Sequence, residues 1–361
     1  MENEIDISNF DGVNIYDAER TSLNQCFDRY IESKCELRTS TRSNYIYMYN
    51  KYIRTTLGGH VLADLKYSTI LDFYKELIFK NGFKPNSMEI IHTILHPIFT
   101  RAVRDGLIRS NPAAGAMKEI KNLKEWKNKP QRHSLTKAQQ EAFMSYVENS
   151  KTNRKWANAF TVLFWTGLRI GEFSGLTWDD CDFKKDVINV SRTLLYRPTK
   201  NGKSEYKINE PKTKSGTRTI PMLEPVRKAL LEEKKRQEKE GTAGMVIDGY
   251  SNWVFTNRFG LVMRPSSINR AIDRIVEEYN KEEMEKAEAE SRDPELLPEF
   301  SAHTMRHTFC TRMCEVESRV KIIQTIMGHS DIETTMNIYN TVTEEYKLES
   351  YEGLGKKLFK E

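Results

Sequence analysis

The sequence predicts two domains: an all-α helical domain, then a mainly α, α+β domain with a small three-stranded antiparallel sheet. Three observations predict it. Apolar residues recur at three- and four-residue steps over the first third of the chain. The periodicity then lapses into a lysine-rich stretch around residues 117 to 133. One block of alternating, turn-separated segments between residues 187 and 222 interrupts a second helical region. With 361 residues the chain has room for two domains of about 100–200 residues each.

Composition narrows the class. Hydrophobic residues make up 38% and charged residues 30%, the mix of a soluble globular protein with a heavily charged surface. No apolar run approaches the ~20 residues a spanning helix needs. The acidic start MENEIDISNFDG lacks the basic and apolar regions of a signal peptide, so a cytoplasmic location is expected. Lys plus Arg total 56 against 51 Asp plus Glu, a balance so mild that only local clustering can point to nucleic acid. Five cysteines without repeating spacing (Cys26, Cys35, Cys181, Cys310, Cys314) argue for reduced thiols rather than a disulfide framework.

Residues 1–18 are polar and aperiodic and read as a tail. The helical domain is expected over 19–116. Its first helix puts Leu23, Phe27, Tyr30 and Ile31 on one stripe. Its second, after Ser40 or Thr41 as N-cap, carries Tyr45, Met48, Tyr49 and Tyr52 until Gly58-Gly59 stops it. TILDFYKELIFK forms a third. A fourth opens at Pro85-Asn86-Ser87, is kinked by Pro97 and ends at Gly106. In the run KEIKNLKEWKNKPQR, six Lys or Arg face two Glu, so 117–133 reads as a basic interdomain linker, either a solvated connector or a strap whose charges meet phosphates.

The second domain is expected over 134–340. LTKAQQEAFMSYVENS is helical, and the apolar run in WANAFTVLFWTGLRIGEFSGL implies a buried helix. VINVSRTLLY, KINEPKT and TRTIPM read as the three strands. NKEEMEKAEAESRDPE reads as a solvated helix end and loop. Residues 341–361 form an amphipathic tail through Tyr346, Leu348, Tyr351, Leu354 and Leu358.

Four separated pieces of this half belong together: TGLRIGE around Arg169, PKTKSGTR around Lys212, HTMRH from His303 to His307, and MGHSDIETTMNIY from Met327 to Tyr339. Each alone has an ordinary structural explanation as a cap, a turn or a pair. In this order they are Arg and Glu, a hairpin Lys, His-x-x-Arg, Gly-His, then a Tyr ten residues past that His. The set resembles the tyrosine recombinases, the phage-integrase family. Over about residues 20 to 350, with the DGVNIYDAERTSLNQCF lead-in and helical first domain, the chain looks like integrases of conjugative transposons and prophages. The resemblance implies a SAM-like core DNA-binding domain followed by a catalytic domain that cleaves and rejoins DNA without ATP, metal or other cofactor.

The residue chemistry fits that class. Tyr339 offers a phenol that can attack a phosphodiester and leave an aryl phosphate, a reversible exchange. The transition state gathers negative charge on its non-bridging oxygens, and Arg169 and Arg306 supply the planar forks to clamp it. Three residues apart on a helix, His303 and Arg306 reach one phosphate. His329 can donate to a non-bridging oxygen or orient the phenol. The resemblance makes His303 an acid/base helper and His329 a phosphate donor. Lys212 is the candidate general acid for the departing 5′ oxygen, with Lys214 its rival if the hairpin register shifts by two. Glu172, on the same helical face as Arg169, is expected to hold that guanidinium.

Asp179, Asp180 and Asp182 fall where a helix gives way to a strand, a usual place for Asp in turns. His307, Cys310 and Cys314 share a helical stripe with Phe309 and Met313 nearby, which reads as a packed face rather than a zinc site. No metal site is expected.

For DNA, the resemblance implies a clamp of two domains bridged by the basic linker, in which Lys127 and Arg132 would contribute. Thr39, Thr41, Arg42 and Asn44 cluster at a helix start where they can meet a phosphate or simply cap. Asn86, Ser87 and His92 are possible base-edge readers. Many such integrases carry an extra N-terminal arm-site domain. Only about twenty residues precede the first helix here, so either that domain is absent or the chain starts downstream of it. The expected partners are double-stranded DNA attachment sites and three further copies in a homo-tetramer on DNA, with the C-terminal tail either exchanged between protomers or folded on its own catalytic domain; a DNA-bending host factor and an excisionase are further candidates. The rival readings are a chromosome-dimer-resolving recombinase, a type IB topoisomerase, a catalytically silent architectural or regulatory DNA-binding protein, and a helical scaffold that binds no nucleic acid.

Overall fold

The computed structural model describes residues 20–37, 39–127, 134–198, 204–211 and 216–339, without the side chains at 39, 40, 125, 127, 197 and 198. The tails 1–18 and 341–361, Arg132, Lys212, Lys214 and the side chains of Thr39 and Lys127 lie outside the described residues. The chain divides into two compact units, Met1–Gln131 and Arg132–Glu361. No described helix is long and apolar enough to cross a membrane.

The first unit is helical: α1 (Leu23–Ser33), α2 (Thr39–Tyr52), α3 (Tyr67–Phe79), α4 (Pro85–Arg104), α5 (Ala116–Lys121) and α6 (Lys124–Lys127). Ser22 starts α1 with a capping box: its hydroxyl accepts from the Gln25 N–H, and the Gln25 side chain accepts from the Ser22 N–H. The stripe Leu23, Phe27, Tyr30 and Ile31 is buried. Phe27 stacks on Tyr49 of α2 with ring centroids 3.6 Å apart. Fully burying a side chain of this size contributes about 1.5–3 kcal/mol. Pro85 sits in the first turn of α4, where its missing N–H costs no intrahelical bond. The helix runs on through Pro97 to Arg104, and Gly106 follows with a left-handed φ of 69°.

In the stretch expected to be a basic interdomain linker, the described residues 117–127 fall mostly in α5 and α6. Lys118, Lys121 and Lys124 face solvent and obscure a second pattern: Ala116, Met117 and Ile120 of α5 and Trp126 of α6 are buried in the first unit's core.

In the second unit, α7 (Lys137–Asn149), α8 (Ala157–Thr166) and α9 (Ile170–Ser174) precede the strands β1 (Cys181–Asp182), β2 (Val187–Val190), β3 (Thr193–Pro198), β4 (Ser204–Asn209) and β5 (Arg218–Pro221). Then come α10 (Glu224–Glu240), α11 (Pro265–Ala289), α12 (Ala302–Val316), α13 (Val320–Met327) and α14 (Ile332–Tyr339). Its core joins Phe143, Phe160 and Phe164 to Phe300, with Phe143 in contact with each of the other three rings.

The expected single sheet is two. One has the strand order β1-β2-β5 and the other is the hairpin β3-β4, all antiparallel. The segment read as one strand, 187–196, breaks at Ser191-Arg192. There Arg192 turns aside to pair with the buried Asp180 and to lie over the Tyr250 ring, 4.3 Å from its centroid. β3 rests on α9 at Gly171, where a Cβ would fall 2.5 Å from the Thr193 methyl.

Candidate functional site

The run TGLRIGE does not form one helix. α8 ends at Thr166, Gly167 takes a left-handed φ of 61°, and Arg169 is the N-cap of α9 with extended backbone. Glu172 therefore meets Arg169 through cap geometry rather than across a helical face. Its carboxylate accepts the Arg169 backbone N–H at 2.9 Å and Nη1 at 2.7 Å. The other end of the guanidinium donates to the Gly328 carbonyl at 2.7 Å. The Arg169 side chain stays 41% exposed, so it is aimed but still reachable.

Arg306 lies in α12, three residues after His303, and is buried. Its guanidinium donates to the carbonyls of Gly167 and Met327. Burial, and then the repulsion of Arg169, lower its pKa to about 9, which leaves it a cation at neutral pH. Gly167 is doubly constrained here: besides its left-handed φ, a Cβ would stand 2.5 Å from the Phe309 ring and 2.9 Å from the Met327 sulfur.

α13 ends at Gly328 with φ 63°, which turns the chain so that His329 faces back toward the arginines. His329 is buried, and its Nδ1 lies 2.9 Å from the Thr335 hydroxyl. Burial first, then Arg306, Arg169 and Arg218, depress its pKa to about 4, so the imidazole is neutral at physiological pH.

Arg169, His303, Arg306, Met327 and His329 line one open cavity of about 340 Å³, closed on one side by Thr334, Asn337 and Ile338 of α14. Tyr339 is the next residue on that helix. It is half-buried against a small cluster of Phe309, Cys310, Cys314, Ile323 and Met327. Cys310 and Cys314 thus belong to a packed apolar face. Among the described residues no group of three or more His, Cys, Asp or Glu is placed to hold a metal. Asp180 accepts from Thr177 and Arg192, and Asp182 accepts the N–H groups of Lys184 and Lys185.

The phage integrase family matches residues 133–345. The chain belongs to the phage integrase family, the tyrosine recombinases. The transposase of transposon Tn916 from Enterococcus faecalis is 29% identical over 92% of this chain and 77% of its own length. A XerC-like tyrosine recombinase from Caldanaerobacter subterraneus is 28% identical over 85% of this chain and 75% of its own. The Tn1549 transposon integrase, in a structure with transposon right-end DNA, superposes with a TM-score of 0.77 at 31% identity, covering 93% of this chain and all of that one. Lambda integrase on a core site, at 18% identity and a TM-score of 0.58, shares the fold.

Two features of this recombinase's site escaped the sequence pattern. Arg218, on β5, is buried and binds Glu172 through both Nη atoms at 3.1 and 2.9 Å. Its one signal was its place in the alternation TRTIP, pointing inward with Ile220. Thr335 is wholly buried against His329, signalled only by standing four residues before Tyr339.

Among the DNA-facing candidates in the first unit, Thr41 and Arg42 are half-buried and Asn44 is exposed, all near the start of α2. Asn86 is exposed and Ser87 half-buried in the first turn of α4. His92 is half-buried rather than fully exposed. Its Nδ1 meets the buried Tyr74 hydroxyl at 2.9 Å, its ring packs near His96, and burial lowers its pKa to about 4.

Proposed function

We propose that this recombinase is the integrase of a mobile element, cutting and resealing DNA at attachment sites through a 3′-phosphotyrosine on Tyr339. The observation that carries the reading is the convergence on one cavity of two oriented arginines, a neutral histidine and the helix that ends in Tyr339. Arg169 and Arg306 clamp the non-bridging oxygens of the scissile phosphate. Their backbone acceptors preset the forks, so little reorganisation accompanies the reaction. His329 donates a hydrogen bond to the same phosphate, and exposed His303 exchanges protons at the nucleophile.

The Tyr339 oxygen attacks phosphorus as the bond to the 5′ oxygen breaks, and that oxygen takes a proton from Lys212, or from Lys214 in the shifted register. The free 5′ hydroxyl of a partner strand then reverses the step. Two such exchanges pass through a Holliday junction without ATP. The helical unit, through its α2 and α4 starts, serves as the core-binding domain, with Lys127 and Arg132 against the DNA backbone. Four copies assemble on two duplexes, linked by their C-terminal tails, with a bending host factor and an excisionase setting direction. The relatives from transposons, one of them solved on transposon right-end DNA, support this assignment.

The test is covalent capture on nicked suicide duplexes carrying the element's ends. Wild type is expected to give a denaturation-resistant adduct and Tyr339→Phe none. Binding without an adduct in wild type would favour an architectural or regulatory role instead.

A further inference from the structure

We propose that Arg218 is a positioning residue for the recombinase reaction: it takes up much of the charge of Glu172, binds that acceptor of Arg169 directly and anchors the chain just before the other, so that Arg169 meets the phosphate with its charge only partly offset. The inference rests on the proposed strand cleavage and adds a residue that does not line the cavity.

The Arg218 side chain is 2% exposed, so its role is internal. Arg169 is seated by two acceptors, Glu172 Oε1 and the Gly328 carbonyl. Arg218 binds the first directly and anchors the chain two residues before the second. Both of its Nη atoms bind the Glu172 carboxylate, and its Nε donates at 2.7 Å to the carbonyl of Ile326, two residues before Gly328. One guanidinium on β5 thereby joins the start of α9 to the end of α13.

Charge gives a second reason. The knot contains three guanidiniums, Arg169, Arg218 and Arg306, against the one carboxylate of Glu172. Without Arg218, Glu172 would compensate Arg169 one to one, and only Arg306 would face the phosphate with net charge. That loss is felt in the transition state, where the phosphate's charge is greatest. Burial on its own would raise the Glu172 carboxyl, but the hydrogen bonds and charge of Arg218, then the charge of Arg169, keep it below the usual carboxylate range and ionised.

The experiment is single-turnover adduct formation by the full chain on the nicked suicide duplexes, with DNA affinity and melting temperature measured alongside. Arg218→Met is expected to slow adduct formation about 100-fold at saturating DNA while Kd changes less than about threefold. The double variant Glu172→Gln/Arg218→Met removes the unbalanced carboxylate and is expected to regain at least about tenfold over Arg218→Met. A purely structural role predicts no such recovery. A rate for Arg218→Met within about threefold of wild type, or a double variant no faster than the single, overturns the proposal. If Arg218→Met does not fold, Arg218→Lys carries the test: it keeps the charge but cannot reach both acceptors, so a rate about tenfold below wild type is expected and a wild-type rate refutes the role. Failure of wild type itself to form the Tyr339 adduct would instead sink the reading of strand cleavage.

Discussion

The Thr335 hydroxyl lies 2.9 Å from Nδ1 of His329, and Thr335 stands on α14 four residues before Tyr339. One buried contact therefore does two things. It decides which imidazole nitrogen is left for the cavity, and it ties the helix that ends in Tyr339 to the turn that carries His329. Thr335→Val keeps the shape and removes the hydroxyl. Its adduct formation is expected to fall about tenfold, the value of one hydrogen bond of roughly 1.4 kcal/mol. Thr335→Ser, which keeps the oxygen, is expected to stay near wild type. Equal rates for the valine and serine variants would remove Thr335 from the mechanism.

Acid should weaken the fold through two histidines. His329 and His92 are depressed from 6.5 to about 4 in the folded chain. Between those values the unfolded chain binds more protons than the native one, so stability is fully present above pH 6.5 and is lost as pH falls toward 4. Denaturant unfolding of the DNA-free protein at pH 7 and pH 5 should show lower stability at pH 5, and His329→Gln should reduce the difference. An imidazole titration of His329 centred near 6.5 would contradict its burial.

At Gly167 the expectation concerns backbone and space together. Gly167→Ala forces a Cβ into a left-handed residue and against Phe309 and Met327. A cost of about 1–3 kcal/mol in chemical unfolding is expected. Adduct formation should fall further than stability, because the Gly167 carbonyl seats Arg306. An alanine variant as stable and as active as wild type would show that the turn tolerates a side chain.

His92 offers a test within the first unit. His92→Leu strands the Tyr74 hydroxyl in the core, at a cost of about 1–3 kcal/mol. Competition binding against mismatched duplexes should leave sequence preference unchanged. A changed preference with unchanged stability would restore His92 as a base reader.

The hairpin β3-β4 is pinned by Arg264, whose guanidinium stands 4.1 Å from the Tyr196 ring centroid and whose Nε donates to the Tyr206 hydroxyl at 2.9 Å. Arg264→Ala is expected to lower stability by about 1 kcal/mol, and Arg264→Lys by less. Thermal unfolding of the two variants distinguishes them, and equal midpoints would mean the stacking contributes little.

Local pattern reached far in this chain. The α1 stripe of Leu23, Phe27, Tyr30 and Ile31 was legible because helical periodicity is written in neighbouring residues. So was the start of α4, because in a first turn the missing N–H of Pro85 costs no intrahelical bond. Arg169, His303, Arg306, His329 and Tyr339 stood out as an ordered set of residue types suited to one phosphate. Pattern misled where another signal lay over it. The lysines of 117–133 hid the buried stripe that ends in Trp126, and the alternation across 187–196 gave no hint that Arg192 leaves the strand for Asp180.

The sequence by itself determined the family, the helical periodicity and the chemical types gathered in the second unit, because these are properties of residue kind and spacing. Only the tertiary structure decided how those groups are held. The cap geometry of Arg169, the carbonyls that aim both arginines, the charge balance of Glu172 against Arg218, and the contact between Thr335 and His329 all join segments distant in the chain or turned by left-handed glycines. Such contacts depend on where the folded backbone brings segments together, and no local periodicity encodes that.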